Sequence, residues 1–134
     1  MSYQLAFDVL HFYNSAQSGI TVPARLSLGN AYTDVVTKLD TGSSYCIFQR
    51  AHGEKLGFDI ERGHQIKIYT AAGSFIAFGH DVTLTVLDFS FDSLVYFAKD
   101  EDFTRDVLGR HGFLNQVQIG IRDYQGELYL NRND

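Results

Sequence analysis

Val35-Val36-Thr37-Lys38-Leu39-Asp40-Thr41-Gly42-Ser43-Ser44 is the stretch on which the reading of this chain turns. A β-branched run feeds directly into an acid, then into small hydroxyl residues and a glycine, the pattern of a strand that ends on a tight loop. Asp40 is thereby placed at a strand end. Gly42 permits a backbone conformation that other residues resist, and Thr41 and Ser43 offer hydroxyls able to hold the loop and hydrogen-bond the carboxylate. A carboxylate fixed in this way is a candidate for acid-base chemistry. Taken alone, Asp40-Thr41-Gly42-Ser43 reads equally well as an ordinary polar turn.

Outward from that loop, period-two alternation or β-branched enrichment predicts strands over Gln4–Phe12, Thr21–Leu28, Asp34–Leu39, Gln65–Thr70, Phe75–Leu87, Ser93–Phe97, Val117–Ile121 and Glu127–Leu130. Turn signals fall between them at Asn14–Gly19, Gly29-Asn30, Ala71–Ser74, Lys99–Asp102 and Gln125-Gly126. Such short spacings favour a mainly β fold, a barrel or sandwich of antiparallel strands. One short helix is predicted over Phe48–Leu56, where apolar positions recur at helical spacing and Gly57 follows as a C-terminal cap. A second is predicted from Arg110 to about Gln116, with Phe113, Leu114 and Val117 on one face. With no repeat, linker or low-complexity segment, the 134 residues read as one domain, in which residues 1–20 form an N-terminal extension of strand and loop.

Composition narrows the function. A formal charge of -5 without a Lys/Arg cluster removes the electrostatic footprint that binding to a nucleic-acid backbone needs. The apolar runs are shorter than the ~20 residues that span a bilayer, and the first residues lack the pattern of a secretory leader. The lone Cys46 cannot form an internal disulfide. A cytoplasmic protein without membrane or nucleic-acid partners is the expectation.

Two further elements accompany the Asp40 loop in a recognisable order. The hairpin Gln65–Asp81 has its tip at Thr70-Ala71-Ala72-Gly73-Ser74, and Val107-Leu108-Gly109 supplies two apolar residues and a glycine ahead of the second predicted helix. Together with Leu39-Asp40-Thr41-Gly42-Ser43-Ser44, these elements make the chain resemble the aspartic proteases over roughly residues 21–130. The likeness is nearer to the single-domain retropepsin-like proteins than to the two-lobed pepsins. The resemblance implies a retropepsin-like acid protease barrel in which Asp40 activates water. The hairpin would be a flap closing over an extended peptide, and Val107-Leu108-Gly109 would pack beside the catalytic loop.

Such chemistry needs two carboxylates sharing a proton around a water, and the chain holds one Asp-Thr-Gly. The resemblance therefore implies a homodimer in which Asp40 of a second copy completes the site across a two-fold axis, with Thr41 bracing the opposite loop. Cofactor and metal are not required. Two departures stand out. Pepsin-type flaps carry tyrosine at the position that aligns with Thr70, whereas Tyr69 comes one residue earlier, on the opposite face of a strand. Ser43-Ser44 is the pepsin form of the loop, where retroviral enzymes carry alanine first.

Other polar residues have plain readings. His11, His52, His64, His80 and His111 are scattered without paired ligand spacing. Cys46 reads as a small buried side chain, and Asp100-Glu101-Asp102 with Asp106 as a solvated turn lacking the glycine and terminal glutamate of a calcium loop. The leading expectation is an aspartic endopeptidase acting on peptide or protein substrates. Its rival is a catalytically silent dimerisation or peptide-binding module on the same fold, since fold does not dictate activity.

Overall fold

The computed structural model describes residues 1–132, so positions 133 and 134 of the expected domain lie outside the described residues. Ten strands and one α-helix follow in the order β1 (Val9–Phe12), β2 (Ile20–Leu28), β3 (Ala31–Leu39), β4 (Ile47–Phe48), α1 (Arg50–Lys55), β5 (His64–Thr70), β6 (Gly73–Val86), β7 (Phe89–Ala98), β8 (Val107–Leu108), β9 (Val117–Arg122) and β10 (Glu127–Arg132). The fold is mainly β, as expected. No helix among the described residues is long and apolar enough to cross a membrane.

Seven strands form one sheet in the order β2-β3-β8-β4-β7-β6-β5, and an extra pairing of β2 with β6 closes it into a barrel. Neighbours are antiparallel except β3 with β8 and β4 with β7, which run parallel. β3 shows why the barrel forms: Thr33, Val35, Thr37 and Leu39 are buried while Tyr32, Asp34, Val36 and Lys38 are exposed, the period of a strand with one face on a core. Thr37, though polar, is fully buried because its hydroxyl donates to the Val22 carbonyl at 2.7 Å. The opposing strands supply Val22, Leu26, Leu84, Val86, Val95 and Phe97, all buried. Burial of a side chain of this size is worth about 1.5–3 kcal/mol.

A second sheet, β1-β10-β9, joins the N-terminal extension to the C-terminal hairpin. Its β1 is shorter than the expected Gln4–Phe12. Where the ladder would continue beyond the Val9↔Leu130 pair, the Asn131 side chain takes over the backbone's role, accepting from the Asp8 amide at 3.2 Å and donating to the Ala6 carbonyl at 3.1 Å. Phe7 packs on Tyr129 with ring centroids 5.8 Å apart. The extension is fastened again at Tyr13, whose hydroxyl donates to Asp123 at 2.6 Å. That bond, first among the causes, pushes the Tyr13 pKa up to about 12.

Three further expectations are corrected. The predicted helix over Phe48–Leu56 is confined to Arg50–Lys55, because Ile47 and Phe48 are drawn into the sheet beside Tyr96 and Phe97. It ends at Gly57 as expected, with amide bonds from Gly57 to Glu54 and from Phe58 to Gly53 that satisfy its last carbonyls. The predicted helix from Arg110 reduces to a 3-10 turn at Leu114–Gln116, since His111 bridges to Tyr45 and Gly112 turns the chain at φ 101°. The strand predicted over Ser93–Phe97 extends back to Phe89, and the β6–β7 turn falls on Leu87 and Asp88, with Leu87 at φ 54°. An apolar residue at positive φ hides a turn from any reading by polar composition.

Candidate active site

Asp40 follows directly on β3, where parallel pairing with β8 fixes the strand end: Lys38 lies opposite Val107 and Leu39 opposite Leu108. The Asp40 amide donates to the Leu108 carbonyl at 2.9 Å, and the Ser43 amide returns to the Asp40 carbonyl at 3.2 Å. The Gly42 amide donates to Asp40 Oδ1 at 2.9 Å and so aims the carboxylate. The carboxylate itself is exposed.

The loop differs from expectation in two details. Gly42 is not at positive φ; glycine supplies room there, since a Cβ would come within 3.2 Å of Asp40 Oδ1. The Ser43 hydroxyl does not reach the carboxylate but donates to the Tyr45 carbonyl at 2.7 Å, bracing the loop from below. Thr41 is exposed, and its hydroxyl has no hydrogen-bond partner among the described residues.

Val107, Leu108 and Gly109 lie beside this loop, all three buried. Gly109 packs so closely that a Cβ would overlap the Tyr45 carbonyl and sit 2.8 Å from the Ser43 carbonyl. Only a residue without a side chain lets the two backbones meet. The next amides, of Arg110 and His111, donate to the Ser43 and Ser44 carbonyls, each at 2.9 Å. Cys46 fills the space behind, fully buried, and burial pushes its thiol pKa up to about 12, which leaves an inert side chain.

A cleft of about 700 Å³ separates this loop from the β5–β6 hairpin. Its lining includes Asp40, Gly42 and Ser43 below and Ile68, Tyr69, Thr70, Ala71 and Ala72 above. The tip is narrower than expected: the turn is Ala71-Ala72, while Gly73 and Ser74 already pair with Thr70 and Tyr69 as part of β6. The Thr70 hydroxyl accepts from the Ala72 amide and donates to the Gly73 carbonyl, both at 3.3 Å, so this side chain holds the turn. Tyr69, 76% exposed, also borders the cleft.

The solved structures now provide a comparison. The chain is similar to a retropepsin-like aspartic protease from Rickettsia conorii, with a TM-score of 0.67 and 18% identity over 90% of this chain and 96% of that one. The chain has the retropepsin-like fold. A second similar structure is the EIAV protease complexed with the inhibitor HBY-793, with a TM-score of 0.55 and 21% identity over 70% of this chain and 84% of that one. No family model and no curated protein matches the sequence.

Within this retropepsin-like fold, one polar cluster beside the cleft was hidden from sequence. Asp106, expected in a solvated turn, is instead nearly buried, its side chain 8% exposed. It accepts from the Gln49 amide at 3.1 Å, from Gln49 Nε2 at 2.9 Å and from His52 Nε2 at 3.3 Å. Burial, the largest single influence, favours the neutral acid, but the bonds from His52 and Gln49 together outweigh it and hold the Asp106 carboxyl below its ordinary value. Its backbone carbonyl accepts from the Lys38 amide at 2.9 Å, so the cluster ties α1 to β3, the strand that leads into Asp40. The cleft lining also takes in Lys67, Phe75, Phe103 and Arg105, none of which a motif marks.

Proposed function

We propose that this protein is a homodimeric aspartic endopeptidase in which water, held between Asp40 and Asp40 of the partner subunit, attacks the peptide carbonyl. The observation that carries the reading is an exposed carboxylate, aimed by the Gly42 amide and seated on a braced loop at the floor of a cleft roofed by a hairpin. The likeness to two solved proteases supports it. One such loop per chain makes a second copy necessary, because the reaction needs one ionised and one protonated carboxyl.

In the dimer the ionised carboxylate takes a proton from water as the oxygen attacks the carbonyl carbon. The protonated partner gives its proton to the carbonyl oxygen. The gem-diol then collapses: the first carboxyl passes the proton taken from water to the leaving nitrogen as the C–N bond breaks, a gem-diol hydroxyl returns its proton to the partner carboxylate as the carbonyl re-forms, and the pair again holds one proton. The Thr41 hydroxyl braces the opposite loop. The substrate lies extended beneath the flap, pairing by its backbone, with apolar side chains against Ile47, Ile68, Phe75 and Val107.

Asp40→Asn removes the ionisable pair at nearly constant shape and is expected to lower kcat by at least ~10³-fold with Tm preserved. Mass-spectrometric mapping of cleaved peptides, with wild type and variant purified identically, provides the test. Equal cleavage by both would overturn the protease reading, and peptide binding without cleavage by wild type would establish the silent binding module. Activity per chain should also fall on dilution below the dimer dissociation constant.

A further inference from the structure

Asp40, Lys67 and Arg105 are the charged residues that line the cleft. On a chain with 16 acids against 11 bases, the surroundings of the candidate catalytic carboxylate are therefore locally reversed in sign. Both cations are exposed, and neither reaches a carboxylate among the described residues. Arg25, Arg50, Arg62 and Arg122, by contrast, each have an acidic partner.

Aromatic rings accompany the two cations. Lys67 Nζ lies 5.7 Å from the centroid of the Tyr69 ring, and the Arg105 guanidinium 5.9 Å from that of Phe103. The Phe103 ring in turn packs on Phe75 of the flap at 4.9 Å. A cation at that range from a ring face is partly held yet keeps its N–H groups for another acceptor. Lys67 stands on the roof and Arg105 on the segment leading to β8, so a peptide in the cleft passes two unpaired donors of like charge.

We propose that the cleft selects peptides with an acidic side chain flanking an apolar scissile pair, and that Lys67 and Arg105 are the residues that read it. The proposal rests on the protease reading and names its substrate class. The two-fold axis would repeat both cations on the far side of the scissile bond, so acidic residues are favoured on either flank. Carboxylate recognition by exposed cations is modest per contact and weakened by salt.

The test uses matched peptides with one apolar scissile pair and Glu, Gln or Lys at the flanking positions. Cleavage is read as kcat/KM on wild type, and binding by fluorescence anisotropy on Asp40→Asn. The Glu peptide is expected to exceed the Gln peptide by about fivefold in both, with Lys below Gln and the differences shrinking at high salt. Lys67→Glu and Arg105→Glu should reverse the order, with the Gln peptide as reference in each variant. Equal kcat/KM and equal binding across the three peptides, or an order that persists in both reversed variants, would overturn the proposal. Charge-ordered binding without wild-type cleavage would uphold the selectivity while removing the protease reading. Absence of both cleavage and charge-ordered binding would overturn the two together.

Discussion

Beneath the cleft, the Asp40 loop is gripped by backbone from Leu108 to His111, whereas above it the tip at residues 69–74 is exposed and tied by one threonine hydroxyl. Both regions line the same cavity, yet the floor owes its shape to backbone contacts with the buried Leu108–Gly109 segment and the roof to a two-stranded ladder facing solvent. In the endopeptidase proposed above, the first arrangement would fix geometry for chemistry and the second would admit an extended chain.

The contrast is most directly broken at Gly109. Gly109→Ala forces a methyl group into the Tyr45 and Ser43 carbonyls, and rigid backbone there cannot yield as a side chain would. A loss of about 3 kcal/mol is expected, read as a lowered urea midpoint, with the Asp40 loop displaced in a structure of the variant. Full stability in Gly109→Ala would mean that the floor is as pliant as the roof.

Asp106→Ala comes next, since it leaves the Gln49 amide without its carboxylate acceptor, at a cost of about 2 kcal/mol. Its pH dependence sharpens the point. The Asp106 carboxyl is held below its ordinary value of 3.8 in the folded chain, so its stabilising contribution is fully present above that value. It fades as pH falls through the lowered folded value. Urea unfolding of wild type and Asp106→Asn across acidic pH should show a shallower decline for the variant, and parallel curves would detach Asp106 from acid stability.

Thr70→Val should have the smallest global effect, below about 1 kcal/mol, because its two bonds are exposed and long. Its effect is local: amide exchange at Ala72 and its neighbours should quicken while that of β3 stays unchanged. Equal exchange in variant and wild type would show that the hairpin ladder alone holds the tip.

The barrel was legible in sequence where a strand alternates cleanly, as β3 does from Thr33 to Leu39. Where alternation and composition parted, the reading failed. Leu87 turns the chain as an apolar residue, and His111-Gly112 interrupts an otherwise helical spacing by bridging to Tyr45. The floor was legible as a motif and the details of its bonding were not: the Ser43 hydroxyl turns to the Tyr45 carbonyl rather than the carboxylate, and Gly109, far away in sequence, packs against that same carbonyl. Asp106, Lys67 and Arg105 carry no local signature, since burial of the first and cleft position of the others arise only when distant strands meet. A strand alternation traced along Lys67 and Tyr69 puts both on one face of β5.

The parallel pairing of β3 with β8 has a consequence for the order of events during synthesis. Asp40 leaves the ribosome long before Val107 and Leu108, and until they follow, Leu39 and the Asp40 amide lack their partners. Contacts between segments so distant along the chain form late, after the local hairpins β2–β3, β5–β6 and β6–β7. The nascent polypeptide thus carries its acid on an unformed loop until Val107 and Leu108 have followed, and the geometry around that acid is assembled only when β8 docks on β3.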